Sequence, residues 1–321
     1  MFICPVCKQK MILPQCDSCG HMVEKQNNIW QLTQMPDIVT DGDGDKYIGY
    51  EYIGVNYSGN RKYLIEQKDY IFAKEISEIT GNGIFLDLGC GDGCIAVPCA
   101  SFGTRIIAGD ISNKMMLILQ EKALCAEIKL LNVTLCRINA LDISIMSGSI
   151  DALIANSVLH LISNPQKVVS EIYRILKKGG VFICGDDVPG KYENSDFDNS
   201  HYYNIVNSIY NEYWVRMGEQ NVFPKKYSWK FNRDELCDSL FSSKSTKLIQ
   251  RGYKYERSIR DGFLSRFLER GFSDQIGVPQ HLHQIVISEL MTTVSKKYGN
   301  NFADTVYKGV EEDLLITIYK K

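Results

Sequence analysis

Ile84-Phe85-Leu86-Asp87-Leu88-Gly89-Cys90-Gly91-Asp92-Gly93 is the stretch on which the reading of this chain turns. An apolar run, Ile84 to Leu88, reads as a buried strand. The glycine-rich segment after it turns the chain into a helix expected to start near Cys94. Glycines at such a junction let the backbone approach a ligand closely at the carboxyl end of the strand. A single G-x-G turn occurs in several nucleotide-binding folds, so its weight depends on the segments C-terminal to it.

From Gly81 the chain alternates apolar strands with helical patterns, the signature of a parallel α/β sheet. A second strand, Arg105 to Asp110, ends in an acid 19 residues beyond Gly91. An acid at that strand tip accepts hydrogen bonds from the two hydroxyls of a nucleoside ribose, and Ile111 can lie against the base. Ser112 reads as the N-cap of an amphipathic helix reaching about Glu127. A third strand leads into Cys136 to Leu141, and a fourth is expected over Ser149 to His160. Asn164-Pro165 opens a helix over Val168 to Leu176, which Lys177-Lys178-Gly179-Gly180 closes. A fifth strand, Val181 to Cys184, ends in Gly185-Asp186-Asp187.

Toward the N-terminus the chain carries Cys4-Pro5-Val6-Cys7 and Cys16-Asp17-Ser18-Cys19-Gly20. Two C-x-x-C turns supply the four thiolates of a tetrahedral zinc site, which makes Cys4, Cys7, Cys16 and Cys19 the expected metal ligands. A segment of this size cannot build an adequate core alone, so a structural metal is the expected staple. Ile29 to Leu32 is expected to finish this ribbon as a strand, and loss of zinc is expected to leave residues 80–187 folded. Asp41, Asp43 and Asp45 imitate the opening of a calcium loop, but Lys46 and Tyr52 occupy the positions that need Gly and Glu, so a linker is expected. The tyrosine-rich arm at 47–63 reads equally as aromatic packing or as a cap on a ligand.

The chain has 321 residues and a net charge of −2, which gives no global attraction to nucleic acid. No apolar run reaches the length of a membrane span, and the first residues lack the pattern of a signal peptide. Eleven cysteines without such a signal point to a reducing, cytoplasmic setting.

Taken together, Leu86 to Gly93, Gly109 to Ser112, Ile138 to Leu141 and the run 149–180 closely resemble the ordered motifs of class I S-adenosylmethionine-dependent methyltransferases. The resemblance covers roughly residues 80–187. It implies a Rossmann-like α/β fold with a mostly parallel seven-stranded sheet, here with a small N-terminal zinc ribbon and helical insertions. By the same resemblance, Asp87, Gly89, Cys90, Gly91 and Gly93 line the methionine and ribose side, Asp110 holds the ribose, and Ile111, Asn139 and Ala140 hold the adenine. Asn156 would meet the methionine moiety. The family more often has aspartate where Asn139 stands. The ribbon is similar to those that precede the catalytic domain in some methyltransferases, including a family acting on ribosomal RNA.

The implied layout is a ribbon at 1–35, a linker and arm at 36–80, a cofactor-binding core at 81–187, and inserts, lid helices and C-terminal strands at 188–321. Lys244 to Ser258 and Glu311 to Lys321 each read as a strand, with helices between that Gly277 and Pro279 divide. The aromatic-rich stretch 188–235 falls where this family places substrate-binding elements, and with the arm it suggests an enclosed apolar pocket. His160, Asp186 and Asp187 are candidate bases, with no catalytic residue singled out. The leading expectation is a small-molecule acceptor. The alternatives are ribosomal or transfer RNA gripped by the ribbon, or a non-catalytic module that contacts a protein partner.

Overall fold

The computed structural model describes residues 1–33, 65–162, 164–188, 199–224, 232–275 and 278–321. The acidic linker and the tyrosine-rich arm lie outside the described residues, as do Tyr192, Phe197, Tyr227 and Trp229.

The central sheet is built from β5 (Ile84–Leu88), β6 (Arg105–Asp110), β7 (Val133–Arg137), β8 (Ile150–Ile154), β9 (Leu176–Val188), β10 (Ser243–Ile249) and β13 (Asp313–Lys320). They lie in the order β10-β13-β9-β8-β5-β6-β7, and β13 alone runs against the rest. This is the seven-stranded Rossmann-like methyltransferase fold. The order reverses between β5 and β8, which opens a crevice at the carboxyl ends of the strands.

Helices α1 (Gln67–Thr80), α2 (Ala96–Ser101) and α3 (Asn113–Cys125) supply one face of the sheet with Phe72, Ile76, Val97, Met116 and Leu119. On the other face lie α4 (Pro165–Ile175) and the short α6 (Arg233–Asp238). Two caps work as the sequence suggests. Ser112 accepts from Met115 N at 3.2 Å, and Asn164 accepts from Lys167 N at 2.9 Å with Pro165 in the first turn. The helix α4 stops at Ile175, and residues 177–180, expected to close it, belong to β9 instead. The expected fourth strand is also shorter. It ends at Ile154, and Ser157, at φ +53°, turns the chain into a single helical turn at Leu159–Leu161.

The ribbon departs most from expectation. Strands β1 (Phe2–Ile3) and β2 (Lys10–Met11) pair with each other. Strands β3 (Lys25–Gln26) and β4 (Ile29–Gln31) extend the main sheet to nine strands, with β4 lying parallel to β7. Cys4, Met11, Cys16, Val23 and Leu32 share one core with Leu86, Ile107, Ile138, Ile145 and Leu153. Each fully buried aliphatic side chain contributes about 1.5–3 kcal/mol. The ribbon and residues 81–187 therefore share a core and stabilise one another.

The segment expected as one strand over 244–258 is two, because Gly252 at φ +53° breaks it. Strand β10 joins the main sheet, whereas β11 (Lys254–Ser258) pairs with β12 (Val306–Val310). That strand pair packs with α5 (Asn199–Glu219), a short helical stretch over 260–267, and α7 (Gln280–Tyr298), whose N-cap is Pro279. Their core is aromatic: Tyr202, Tyr210, Tyr213 and Trp214 meet Phe263, Phe267 and Phe272. Among the described residues, no helix is long and apolar enough to cross a membrane.

Candidate active site at the carboxyl ends of the strands

A cavity of about 510 Å³ occupies the crevice, a volume ordinary for a small-molecule site. Its floor is the glycine turn after β5. Gly89 N and Cys90 N both donate to Gly109 O, at 2.7 and 3.1 Å, which ties the turn to the end of β6. Gly89 has φ +74°, and a Cβ there would sit 1.9 Å from Val158 Cγ2, so no larger residue fits.

Asp110 closes the same corner. Its two carboxylate oxygens each accept a backbone N–H at 2.8 Å, one from Gly91 and one from Ser112. The carboxylate is thus held rigidly at the cavity wall. Beneath it lies Asp87, 2% exposed, whose Oδ2 has no hydrogen-bond partner among the described residues. Burial, then the nearby charge of Asp110, pushes the Asp87 carboxyl up to about 7. Burial likewise pushes the Cys90 thiol well up, so it stays neutral.

Nine of the ten expected cofactor residues line this cavity: Asp87, Gly89, Cys90, Gly91, Asp110, Ile111, Asn139, Ala140 and Asn156. Gly93 does not. A Cβ on it would meet Leu119 at 2.5 Å and Val97 at 2.7 Å, so it serves the packing of α3 under the turn. Asn139 Oδ1 already accepts Leu141 N at 2.9 Å, which leaves one lone pair on that oxygen for a ligand. An orphaned buried acceptor at Asp87, a turn that only glycine can make and a fixed acid at a strand tip together suit an adenosine-bearing ligand.

Of the candidate bases, Asp186 and Asp187 line the cavity and His160 does not. Asp186 is gripped by Arg233 at 3.1 and 2.6 Å, and Asp187 is 2.8 Å from Arg251 Nη1. The arm at 47–63 and much of the stretch 188–235, expected to line the pocket, lie outside the described residues. Phe72 is the one aromatic ring among the described lining residues, and the tyrosines of α5 build the helical core instead.

Sequence reasoning missed Arg233, Arg251, Lys68 and Lys122. Lys122 is fully buried and places Nζ 2.9 Å from Asp92 Oδ2 and 3.5 Å from Cys94 Sγ, both at the cavity. Its signal was present in the sequence, because it falls on the stripe of Met115, Ile118 and Leu119 that α3 buries. The two arginines come from segments far away in the chain, and no local pattern marks them.

The four ribbon thiols converge. Their sulfurs lie within 4.8 Å of one another, with Cys4–Cys19 and Cys7–Cys16 both at 3.6 Å. Four sulfurs about 2.3 Å from one zinc ion stand about 3.8 Å apart, so the donor set fits that metal. The two knuckles repeat one geometry: Lys8 N donates to Cys4 O at 3.0 Å and Gly20 N to Cys16 O at 2.8 Å. Lys8 and Gly20 both adopt positive φ.

Residues 86–184, about a third of the chain, match the family model described as a methyltransferase domain. The chain is 28% identical over 170 residues to the sterol 4-C-methyltransferase of Caenorhabditis elegans, covering 51% of this chain and 49% of that one. It is 31% identical over 99 residues to the ubiquinone/menaquinone biosynthesis C-methyltransferase of Zymomonas mobilis, covering 31% and 40%. The chain thus spans half or less of the length of these relatives. Among solved structures, phosphoethanolamine N-methyltransferase 2 of Haemonchus contortus is similar with a TM-score of 0.41 and 17% identity, over 89% of this chain and 61% of that one. Likeness at that level transfers neither substrate nor residue roles. Residues 86–184 thus carry a methyltransferase domain.

Proposed function

We propose that the protein transfers a methyl group from S-adenosylmethionine to a small-molecule acceptor, and that Cys4, Cys7, Cys16 and Cys19 hold one structural zinc ion. The observation that carries the choice of acceptor is the charge of the described cavity wall. Six carboxylates face two cations there, and both cations are already ion-paired. Lys68 meets Glu66 at 3.3 Å and Glu311 at 3.7 Å, and Arg251 meets Asp187 at 2.8 Å. A polyphosphate backbone finds little to neutralise it in such a wall. The ribbon, which the RNA alternative would use as a grip, packs Met11, Val23 and Leu32 into the protein core. The relatives named for sterol and quinone methylation are consistent with a non-polymeric acceptor.

In this reading Asp110 holds the ribose hydroxyls, Ile111, Asn139 and Ala140 frame the adenine, and Asp87, Gly89, Cys90, Gly91 and Asn156 border the methionine. The bound sulfonium supplies an electrophilic methyl group, so alignment and exclusion of water can account for much of the rate. Phe72, Leu161, Ile162 and Leu314 are among the apolar residues of the wall. Asp186 and Asp187, each held by an arginine, are suited to orienting an acceptor rather than to taking its proton.

The test is incubation with methyl-labelled cofactor and separate RNA, protein and small-metabolite fractions, alongside calorimetric titration with S-adenosylmethionine. Label is expected in the metabolite fraction. Label confined to RNA would overturn the acceptor class, and no cofactor binding would overturn the activity.

A further inference from the structure

The geometry points to a second role for the N-terminal ribbon: it is a positioning element that fixes the adenine end of the cofactor site. This inference rests on the cofactor reading above. The segment after β7 carries Ile138, Asn139 and Ala140 along the cavity wall, and the ribbon grips that segment at several points. Strand β4 lies alongside β7 in parallel register, with Gln31 opposite Arg137, and Leu32 N donates to Arg137 O at 3.1 Å. Ser144 Oγ donates to Leu32 O at 3.1 Å, and Ile3 N donates to Ser144 O at 3.2 Å. Met146 N donates to Met1 O at 2.8 Å, and Lys8 Nζ lies 2.5 Å from Asp142 Oδ2. The turn from Asn139 to Asp142 is therefore bracketed from both sides by one small module.

The other adenine-side wall is reached as well. The amides of Gln31 and Asn113 exchange hydrogen bonds, at 3.3 and 3.1 Å. Asn113 is the first residue of α3, directly after Ser112, whose backbone N–H fixes Asp110. Arg137, opposite Gln31 in the ladder, donates from Nε to Ile111 O at 2.9 Å. Gln31 and Arg137 are thus positioning residues: they touch the backbone and helix start that carry Ile111 and Asp110, and they do not line the cavity. The four thiolates hold the frame, since Cys4 follows β1 directly and Cys4 and Cys16 are buried in the core shared with Ile138. Metal loading of the ribbon and cofactor binding are coupled through this frame.

The test uses the full chain. Gln31→Ala should weaken S-adenosylhomocysteine binding about tenfold by calorimetry, a factor that corresponds to about 1.4 kcal/mol, and 5′-methylthioadenosine should be weakened equally because it retains the adenosine end. Gln31→Glu keeps an acceptor for the Asn113 amide and should recover most of the affinity. A merely structural role would lower the melting temperature of ligand-free protein and leave affinity within twofold, and that result would overturn the inference. Zinc removal by chelation should raise hydrogen exchange at 137–146 in ligand-free protein. Unchanged exchange there, with zinc loss verified by metal analysis, would also overturn it. Because that readout needs no cofactor, its outcome stands even where wild-type protein fails to bind S-adenosylhomocysteine, which would instead sink the cofactor reading.

Discussion

Asp110 offers the sharpest test of the cofactor reading. A carboxylate has about four acceptor positions, and Gly91 N and Ser112 N take one on each oxygen at 2.8 Å. In the cofactor reading this fixed carboxylate is the charged acceptor for the two ribose hydroxyls. Hydrogen bonds to a charged acceptor contribute about 1.5–3 kcal/mol each, so Asp110→Ala should cost about 3 kcal/mol or more in cofactor binding, a loss of at least about a hundredfold. Asp110→Asn is the finer instrument. Its amide nitrogen cannot accept, so either Gly91 N–H or Ser112 N–H loses its partner and one ribose contact goes with it. A loss of about tenfold to a hundredfold is expected, between wild type and alanine. Calorimetry with S-adenosylmethionine and S-adenosylhomocysteine reads all three proteins, with thermal melts confirming that each is folded. Affinities within twofold of wild type for both folded variants would refute the assignment of Asp110 and, with it, the position of the second strand in the motif.

Asp87→Asn tests the buried acid. The folded carboxyl titrates near 7, above its unfolded value, so its contribution to stability is present below about pH 4 and is lost as pH rises through 7. Ligand-free Asp87→Asn should therefore melt higher than wild type at pH 8, by a few kcal/mol at most, with the difference shrinking by pH 5; equal melts at both would refute the burial argument. Lys122→Met leaves buried Asp92 without its ammonium and should cost about 3–5 kcal/mol in denaturant titrations, far more than a surface lysine would. Replacing Cys4, Cys7, Cys16 and Cys19 together with serine should abolish a zinc content of one ion per chain and lower the melt of the whole protein in a single transition. Undiminished zinc in that variant is the contrary result. Acceptor affinity, once an acceptor is found, should change little between low and moderate salt, whereas a steep negative slope would mark a polyanion.

The cavity residues expected to hold the cofactor were legible in the sequence because the motifs that carry them are local. Leu86 to Gly93 and Gly109 to Ser112 are short segments whose backbone demands restrict residue type, and the structure brings them to one cavity. The far side of the cavity is assembled otherwise. Arg251 reaches Asp187 across 64 positions and Arg233 reaches Asp186 across 47, so neither pair leaves a periodic trace. The tyrosines of α5 misled for a related reason. An aromatic cluster looks the same in sequence whether it lines a pocket or fills a core, and Tyr213, fully buried and 2.8 Å from His283 Nδ1, belongs to a core. The strands β3 and β4 were too short to announce a partner, being two and three residues long, and their place in the main sheet comes from pairing with β7.

That pairing also decides how the sheet ends. Without β4, the last strand of the Rossmann-like sheet would be β7, whose Leu135 and Cys136 are buried and whose outer row of N–H and C=O groups would lie open. An exposed edge of that kind is a template for strand addition from a second molecule. The ribbon covers it and then stops the sheet with a two-residue strand that begins at Lys25, while the opposite edge, β10, carries Lys244 and Lys247. Both margins are therefore poor partners for another chain. A molecule whose ribbon has lost its hold is expected to stick to its neighbours along β7 before it unfolds, so turbidity should precede the loss of helical signal when the thiols are oxidised or stripped of metal.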